Sequence, residues 1–331
     1  MEQFSETEFV VMDDRRAFVA AAAAVARADE AMINVAKMTA DAEASATPAG
    51  VPWYRRRTIR DEAAAIAGLE GHAIRNESLC RRIGNRDTSN LDRATKLAAD
   101  IHEAILLVDA WPQQPPGLEE ILKLFSISDE STGRVMRPDL VWTLEDDATW
   151  LVRECEVAAE TPEPWIAVDV IRRIWNSGRF QSTARRMAML CAPWILARGF
   201  GCDLPVHGLA QQIRKDVDGF RDAAKSSDSW ALAAAQAVAE AGRSSHRRIG
   251  DAAAERRTLL AICPPERSSS SITPAVEFMI GQPIFTVKSF CENLGVTPRG
   301  AKVVLDKLED AGLLEVEGGS RNRNYVCRRA I

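Results

Sequence analysis

Arg299 and Lys302 lie three residues apart, just inside a segment that opens Thr297-Pro-Arg-Gly-Ala-Lys-Val. On a helix that spacing puts both cations on one face near the positive end, with Val303 beside them. Such a face can enter the major groove of DNA, because a recognition helix contacts base edges with its N-terminal residues. Acids come only later, at Asp306, Glu309 and Asp310. From Gly318 to the end there are four arginines, Arg321, Arg323, Arg328 and Arg329, and no acid. Arginines at a hairpin tip can neutralise phosphates or enter a minor groove. Thr297, Arg299, Lys302, Val303, Arg321, Arg323 and Arg328 are therefore the residues expected to meet duplex DNA. The net charge of residues 283–331 is small, eight Lys/Arg against six Asp/Glu. The same module could also serve protein contacts alone.

Elsewhere the chemistry is thinner. His207 follows Leu204-Pro and could act as a base, but no Ser or Cys stands out as its nucleophile, and a structural role competes. Glu154, Glu156 and Glu160 fall in one helical run, and Asp146-Asp147 precede them. Paired carboxylates can do acid–base work, yet an exposed acidic face reads the same way. Trp165, Trp175 and Trp194 could line a pocket or fill a core. His246-Arg-Arg lies on a long helical segment. The four histidines are far apart and the seven cysteines form no C-x-x-C pair, so no metal, cofactor or catalytic residue is assigned.

The elements that must position the C-terminal cations are legible. Thr286 can cap a helix bearing Val287, Phe290 and Leu294 on one face. Gly295 ends that helix, Thr297 caps the next, and Pro298 sits at its first position, where a missing N–H costs nothing. Ala301, Val304, Leu305 and Leu308 form the buried stripe of this second helix, and Gly312 closes it. Residues 313–317 and 324–328 alternate as two strands around 318–323. A helix over 272–281 leads in. This order is that of a winged helix-turn-helix.

Upstream, residues 13–45 carry a helical stripe through Phe18, Ala22, Val25, Ala28 and Met32. A second helix starts near Tyr54 and holds Arg55-Arg-Arg, readable as a nucleic-acid patch or a solvated helix start. Helices are expected at 91–109, 117–125, 149–158, 165–199 with a break near 176–178, 206–223 and 228–262. Residues 126–147 read as a polar excursion with room for one strand. Cys263-Pro-Pro-Glu-Arg-Ser-Ser-Ser-Ser reads as a linker.

The chain has 331 residues, 46% of them hydrophobic, and a formal net charge of −5. That excludes a general polyanion binder and makes any basic surface local. No apolar run reaches the roughly 18 residues of a membrane span, and the acidic start cannot serve as a signal-peptide n-region. A cytoplasmic protein with reduced thiols is the expectation.

Three stretches of the helical body resemble the Fic superfamily. They are 62–71, ending Glu70-Gly71; 176–186, Asn-Ser-Gly-Arg-Phe-Gln-Ser-Thr-Ala-Arg-Arg; and 204–220. The resemblance implies a helical fold, AMP transfer to hydroxyl side chains, and a loop that grips nucleotide phosphates through H-x-F-x-(D/E)-G-N-G-R-x-x-R. Here Ile171 or Trp175 falls at the position of the family's catalytic His, depending on which arginine is aligned, and neither can accept a proton. Gly178, Arg179, Arg185 and Arg186 survive as residues that could hold an anion or nucleotide at a helix N-terminus, or form a solvated loop. The order of pieces along 240–331 is similar to that of an uncharacterised proteobacterial family, often plasmid-borne. That family joins a helical domain to a C-terminal helix-turn-helix, which implies DNA binding.

The expectation is thus a mostly α protein: an N-terminal helical segment (1–50), a Fic-like helical body (51–262), a linker (263–271) and a winged helix-turn-helix (272–331). Double-stranded DNA is the expected partner, for transcriptional control. The body would dimerise or sense a protein or small-molecule effector. A diverged Fic-type transferase and an interaction scaffold are the alternatives.

Overall fold

The computed structural model describes residues 15–31, 53–84, 92–111, 114–129, 143–263, 271–318 and 323–331. They are mostly helical, with one small sheet. None of their helices is long and apolar enough to cross a membrane.

The alanine-rich start is a helix over 15–31 (α1) that buries Ala21, Ala24, Val25 and Ala28. Then come α2 (Trp53–Leu69), α3 (Asn76–Gly84), α4 (Arg93–Asp109), α5 (Leu118–Asp129) and α6 (Leu144–Glu160). After them run α7 (Pro164–Trp175), α8 (Ala184–Phe200), α9 (Leu209–Ile213), α10 (Val217–Ala223) and α11 (Ser227–Ile262). Local caps set several starts. The Asp92 carboxylate accepts from the Thr95 N–H at 2.7 Å. Thr143 and Asp146 form a capping box, which starts α6 five residues before the expected Thr149. Helix α8 has no polar face: nearly every residue from Arg186 to Ala197 is buried, so it runs through the core.

The main core is built from α1 to α9, together with the first half of α11. A second core joins the C-terminal elements to Trp53 and Tyr54 of α2 and to Ile249, Ala252 and Leu259 of α11. At 36 residues, α11 is about 54 Å long at the 1.5 Å rise of a helix, so one element can serve both cores.

The C-terminal elements are α12 (Ile272–Gly281), β1 (Ile284–Thr286), α13 (Val287–Leu294), α14 (Pro298–Asp310), β2 (Glu315–Glu317) and β3 (Asn324–Val326). The strands form an antiparallel sheet in the order β1-β3-β2, pairing Phe285 with Tyr325 and Val316 with Tyr325. Two elements here carry no clear sequence signal. Strand β1 is three residues long, and α3 shows no extended apolar period.

The linker expected at 263–271 lies almost wholly outside the described residues, and the helix that follows it, α12, is seated on α2 and α11. Arg60 donates from Nη1 to the Gly281 carbonyl at 3.3 Å, and Arg256 pairs with Glu277 at 2.7 Å. The chain end is held as well: Asn76 Nδ2 donates to the Ile331 carbonyl at 3.4 Å.

Arg55-Arg-Arg57 is neither of the surfaces expected for it. Arg55 and Arg56 are buried, and Arg55 meets Asp109 at 2.9 Å. Arg57 reaches Glu255 at 3.6 Å. A buried guanidinium needs a carboxylate or carbonyls around it, and those partners come from distant elements.

Candidate nucleic-acid interface

The second helix of the C-terminal pair, α14, is positioned by the caps of α13 and by its own N-cap. Thr286 and Ser289 form a capping box at the start of α13, and Gly295 (φ 63°) ends α13 in the left-handed region. The Thr297 hydroxyl accepts from the Gly300 N–H at 3.2 Å and starts α14. Ala301, Val304, Leu305 and Leu308 are buried in the second core, which also holds Phe278 of α12, Phe285 of β1 and Phe290 of α13, packed edge-on and stacked. Burying that stripe turns the opposite side outward.

Thr297, Arg299, Lys302 and Val303 are all exposed on the outward side. Val303 is 53% exposed, an uncommon state for a large apolar residue. Among the described residues, neither Arg299 nor Lys302 has an acidic partner within salt-bridge distance. The first turns of α14 thus present uncompensated positive charge at a helix N-terminus.

The arginines of the hairpin differ from these and from each other. Arg321 lies outside the described residues. Arg323 is exposed, 3.3 Å from Glu309 at the far end of α14, and its guanidinium lies 5.3 Å from the Tyr325 ring centre. Arg328 is held by three carboxylates: Glu315 at 3.0 Å, Glu317 at 2.5 Å and Glu77 of α3 at 3.5 Å. Arg81 of α3 pairs with Glu77 at 2.6 Å and Glu317 at 2.7 Å. Its ion pairs place Arg328 in a network that ties the sheet to α3.

Residues Gly178–Thr183 form a 3-10 turn ahead of α8. Arg179 pairs with Asp147 at 3.3 Å and lies over the Trp150 ring. Arg185 lies over Trp175. Arg186 is 2% exposed and makes a two-pronged ion pair with Glu70, from Nε at 2.7 Å and from Nη2. Arg179, Arg185 and Arg186 thus each have a different partner among the described residues. Two of the stretches that carry the family resemblance do meet here, through Glu70 and Arg186.

The remaining candidates resolve as follows. Glu154 is buried beside Arg173 at 3.0 Å, and burial pushes its carboxyl up. Glu156 is exposed. Asp146 caps α6, while Asp147 faces Arg179. Trp175 and Trp194 are core residues, and Trp165 is 53% exposed. The His246 Nδ1 sits 3.2 Å from the Arg27 carbonyl.

His207 is buried. Its Nε2 lies 2.9 Å from Asp109, which also pairs with Arg55. Nearby, the Glu62 carboxylate accepts from the Gly208 and Ala210 N–H groups at 3.1 Å, although burial pushes its carboxyl up. This Arg55–Asp109–His207 cluster joins residues up to 152 apart in the chain, and no local pattern announces it. Among the described residues no group of three or more His, Cys, Asp or Glu side chains could hold a metal ion.

Neither a family model nor a curated protein matches this chain.

Proposed function

We propose that the protein binds duplex DNA through α14 and acts as a transcription regulator. The element order α12-β1-α13-α14-β2-β3 supports reading the C-terminal part as a winged helix-turn-helix, with 318–323 as the wing. The observation that carries the proposal is the outward row Thr297, Arg299, Lys302 and Val303. Two cations with no acidic partner among the described residues lie beside an exposed apolar side chain at a helix N-terminus. That combination suits base edges and a thymine methyl.

The helical body we read as Fic-like in descent without the transferase activity. Support comes from the Glu70–Arg186 pair, which neutralises the arginine best placed to meet a phosphate, and from Ile171 and Trp175, which are buried apolar side chains. The membership in a helical-domain and helix-turn-helix family suggested by residues 240–331 fits the same reading.

The test is selection of an operator from random duplexes, followed by fluorescence anisotropy. An Arg299→Ala, Lys302→Ala variant should lose about 1–3 kcal/mol of specific binding per base contact removed. Equal affinity of variant and wild type for the selected site would remove α14 as the reader.

A further inference from the structure

Arg214 is a cation without a partner. It follows α9 in a short 3-10 turn, is exposed, and has no hydrogen bond or ion pair among the described residues. Gly68, in the last turn of α2, makes room for it. A Cβ on Gly68 would stand 2.5 Å from the Arg214 Nε and 2.7 Å from its Cζ, so the guanidinium lies against bare glycine. Lys215 comes next and is exposed as well. Its Nζ donates to Gln212 Oε1 at 2.6 Å, which leaves two of the three ammonium donors unused. It too has no ion pair among the described residues.

Both side chains line a groove of about 410 Å³ between α2, the start of α3 and α9. That volume is in the range of small-molecule sites. Ala64, Ala65 and Ile74 supply the apolar part of its wall. The acid in the wall, Asp61, is already matched. Arg248 Nη1 lies 3.6 Å from its carboxylate, and Nη2 of the same arginine donates to Gln211 Oε1.

Charge selects the ligand. Arg214, Lys215 and Arg248 stand against Asp61, which leaves two positive charges in excess. An arginine fork holds a phosphate through two N–H groups, and a lysine adds a point charge. The two free cations are on consecutive residues, with Cα atoms about 3.8 Å apart, and together they match a dianion better than a monoanion. The Asp61 side chain is 25% exposed. It repels a second anionic group and accepts hydrogen bonds from hydroxyls.

We infer that this groove binds a small phosphate monoester whose body carries hydroxyls. The phosphate sits on Arg214 and Lys215, and the hydroxylated part lies along Ala64 and Ile74 with Asp61 as acceptor. Asn76, in the same wall, donates to the Ile331 carbonyl at 3.4 Å. An occupant therefore adjoins α3, the helix that packs on the C-terminal sheet.

The experiment is isothermal titration of the full chain, without DNA, using glycerol 3-phosphate, glycerate and glycerol at matched ionic strength. Glycerol 3-phosphate should bind, glycerate at least fivefold more weakly and glycerol not measurably. Arg214→Gln should weaken glycerol 3-phosphate at least tenfold. Gly68→Ala keeps every charge but displaces the guanidinium, and should weaken it at least threefold; the Arg214 variant decides the matter if Gly68→Ala fails to fold by circular dichroism. Arg221→Gln removes an exposed arginine outside the groove, paired with Asp218 at 2.6 Å, and should leave the affinity unchanged. Absence of glycerol 3-phosphate binding would overturn the inference. So would glycerate binding just as tightly, or equal losses in Arg214→Gln and Arg221→Gln, which mark general charge attraction. The readout is binding to the groove without DNA, so failure here leaves the DNA reading intact.

Discussion

Gly84 lies where α3 meets the C-terminal sheet at close backbone approach. It is the last residue of α3, and a Cβ placed on it would stand 1.9 Å from the Ile284 carbonyl oxygen and 2.8 Å from that carbonyl carbon. The obstacle is backbone, so no side chain can swing away. Restoring ordinary contact of about 3.5 Å requires α3 and β1 to part by roughly 1.5 Å. That shift would open the small cluster of Cys80, Ile284 and Val326, all at most 1% exposed. It would also strain the Arg81–Glu317 pair at 2.7 Å. Overpacking of this kind typically costs about 1–3 kcal/mol. Alanine's better helix propensity returns at most about 1 kcal/mol, and less at a helix end. Gly84→Ala should therefore destabilise the protein by about 1–2 kcal/mol net. Urea unfolding followed by circular dichroism reads this as a lower midpoint. Limited proteolysis should show earlier cleavage near 264–284. A variant within about 0.5 kcal/mol of wild type, with unchanged proteolysis, would refute the close packing of α3 on β1.

The two hairpin arginines should separate in a salt titration of DNA binding. Arg323→Ala should flatten the slope by about one unit, as for one lost phosphate contact. Arg328→Ala should leave the slope unchanged, because Glu315, Glu317 and Glu77 hold that side chain; a loss equal to that of Arg323→Ala would contradict the ion-pair assignment. Arg186→Ala strands Glu70 and should cost about 3 kcal/mol or more in a denaturation series, in the range for breaking a buried pair; a cost below 1 kcal/mol would show that the pair is not a structural one. Neither wild type nor Arg179→Ala, Arg186→Ala should transfer labelled AMP to itself, and label on wild type that the double variant loses would restore the enzymatic reading. Burial and the Arg60 and Arg56 charges push His102 from 6.5 down to about 3. The unfolded chain therefore takes up a proton below about 6.5 that the native protein refuses until about 3. The resulting stability is complete above 6.5 and is lost as pH falls, by about 1.4 kcal/mol for each unit of that gap. His102→Gln should move the acid-unfolding midpoint to lower pH, and superimposable acid curves would exclude His102 as a contributor.

The local features of the C-terminal part were legible because they act within a few residues. Thr286, Gly295, Thr297, Pro298 and Gly312 punctuate the helices through caps and backbone geometry, and the stripe Ala301, Val304, Leu305 and Leu308 follows from helical spacing alone. The exposure of Arg299, Lys302 and Val303 is the complement of that stripe. Strand β1 was not legible, since Ile284–Thr286 becomes a strand only by pairing with Asn324–Val326, about 40 residues later.

Tertiary structure alone decided where most charges go. Local composition makes Arg55-Arg-Arg57 look like a basic surface, yet the Asp109 that buries Arg55 lies on α4. Sequence alone leaves Arg186 open between an anion contact and a solvated loop, and the fold pairs it with Glu70, 116 residues away. Arg328 matched its neighbouring arginines by type, but the sheet register set it against Glu315 and Glu317, and the packing of α3 brought Glu77. A side chain's charge is written in the sequence. Its partner is fixed by which elements pack together, and a buried charge persists only where that packing supplies the opposite one.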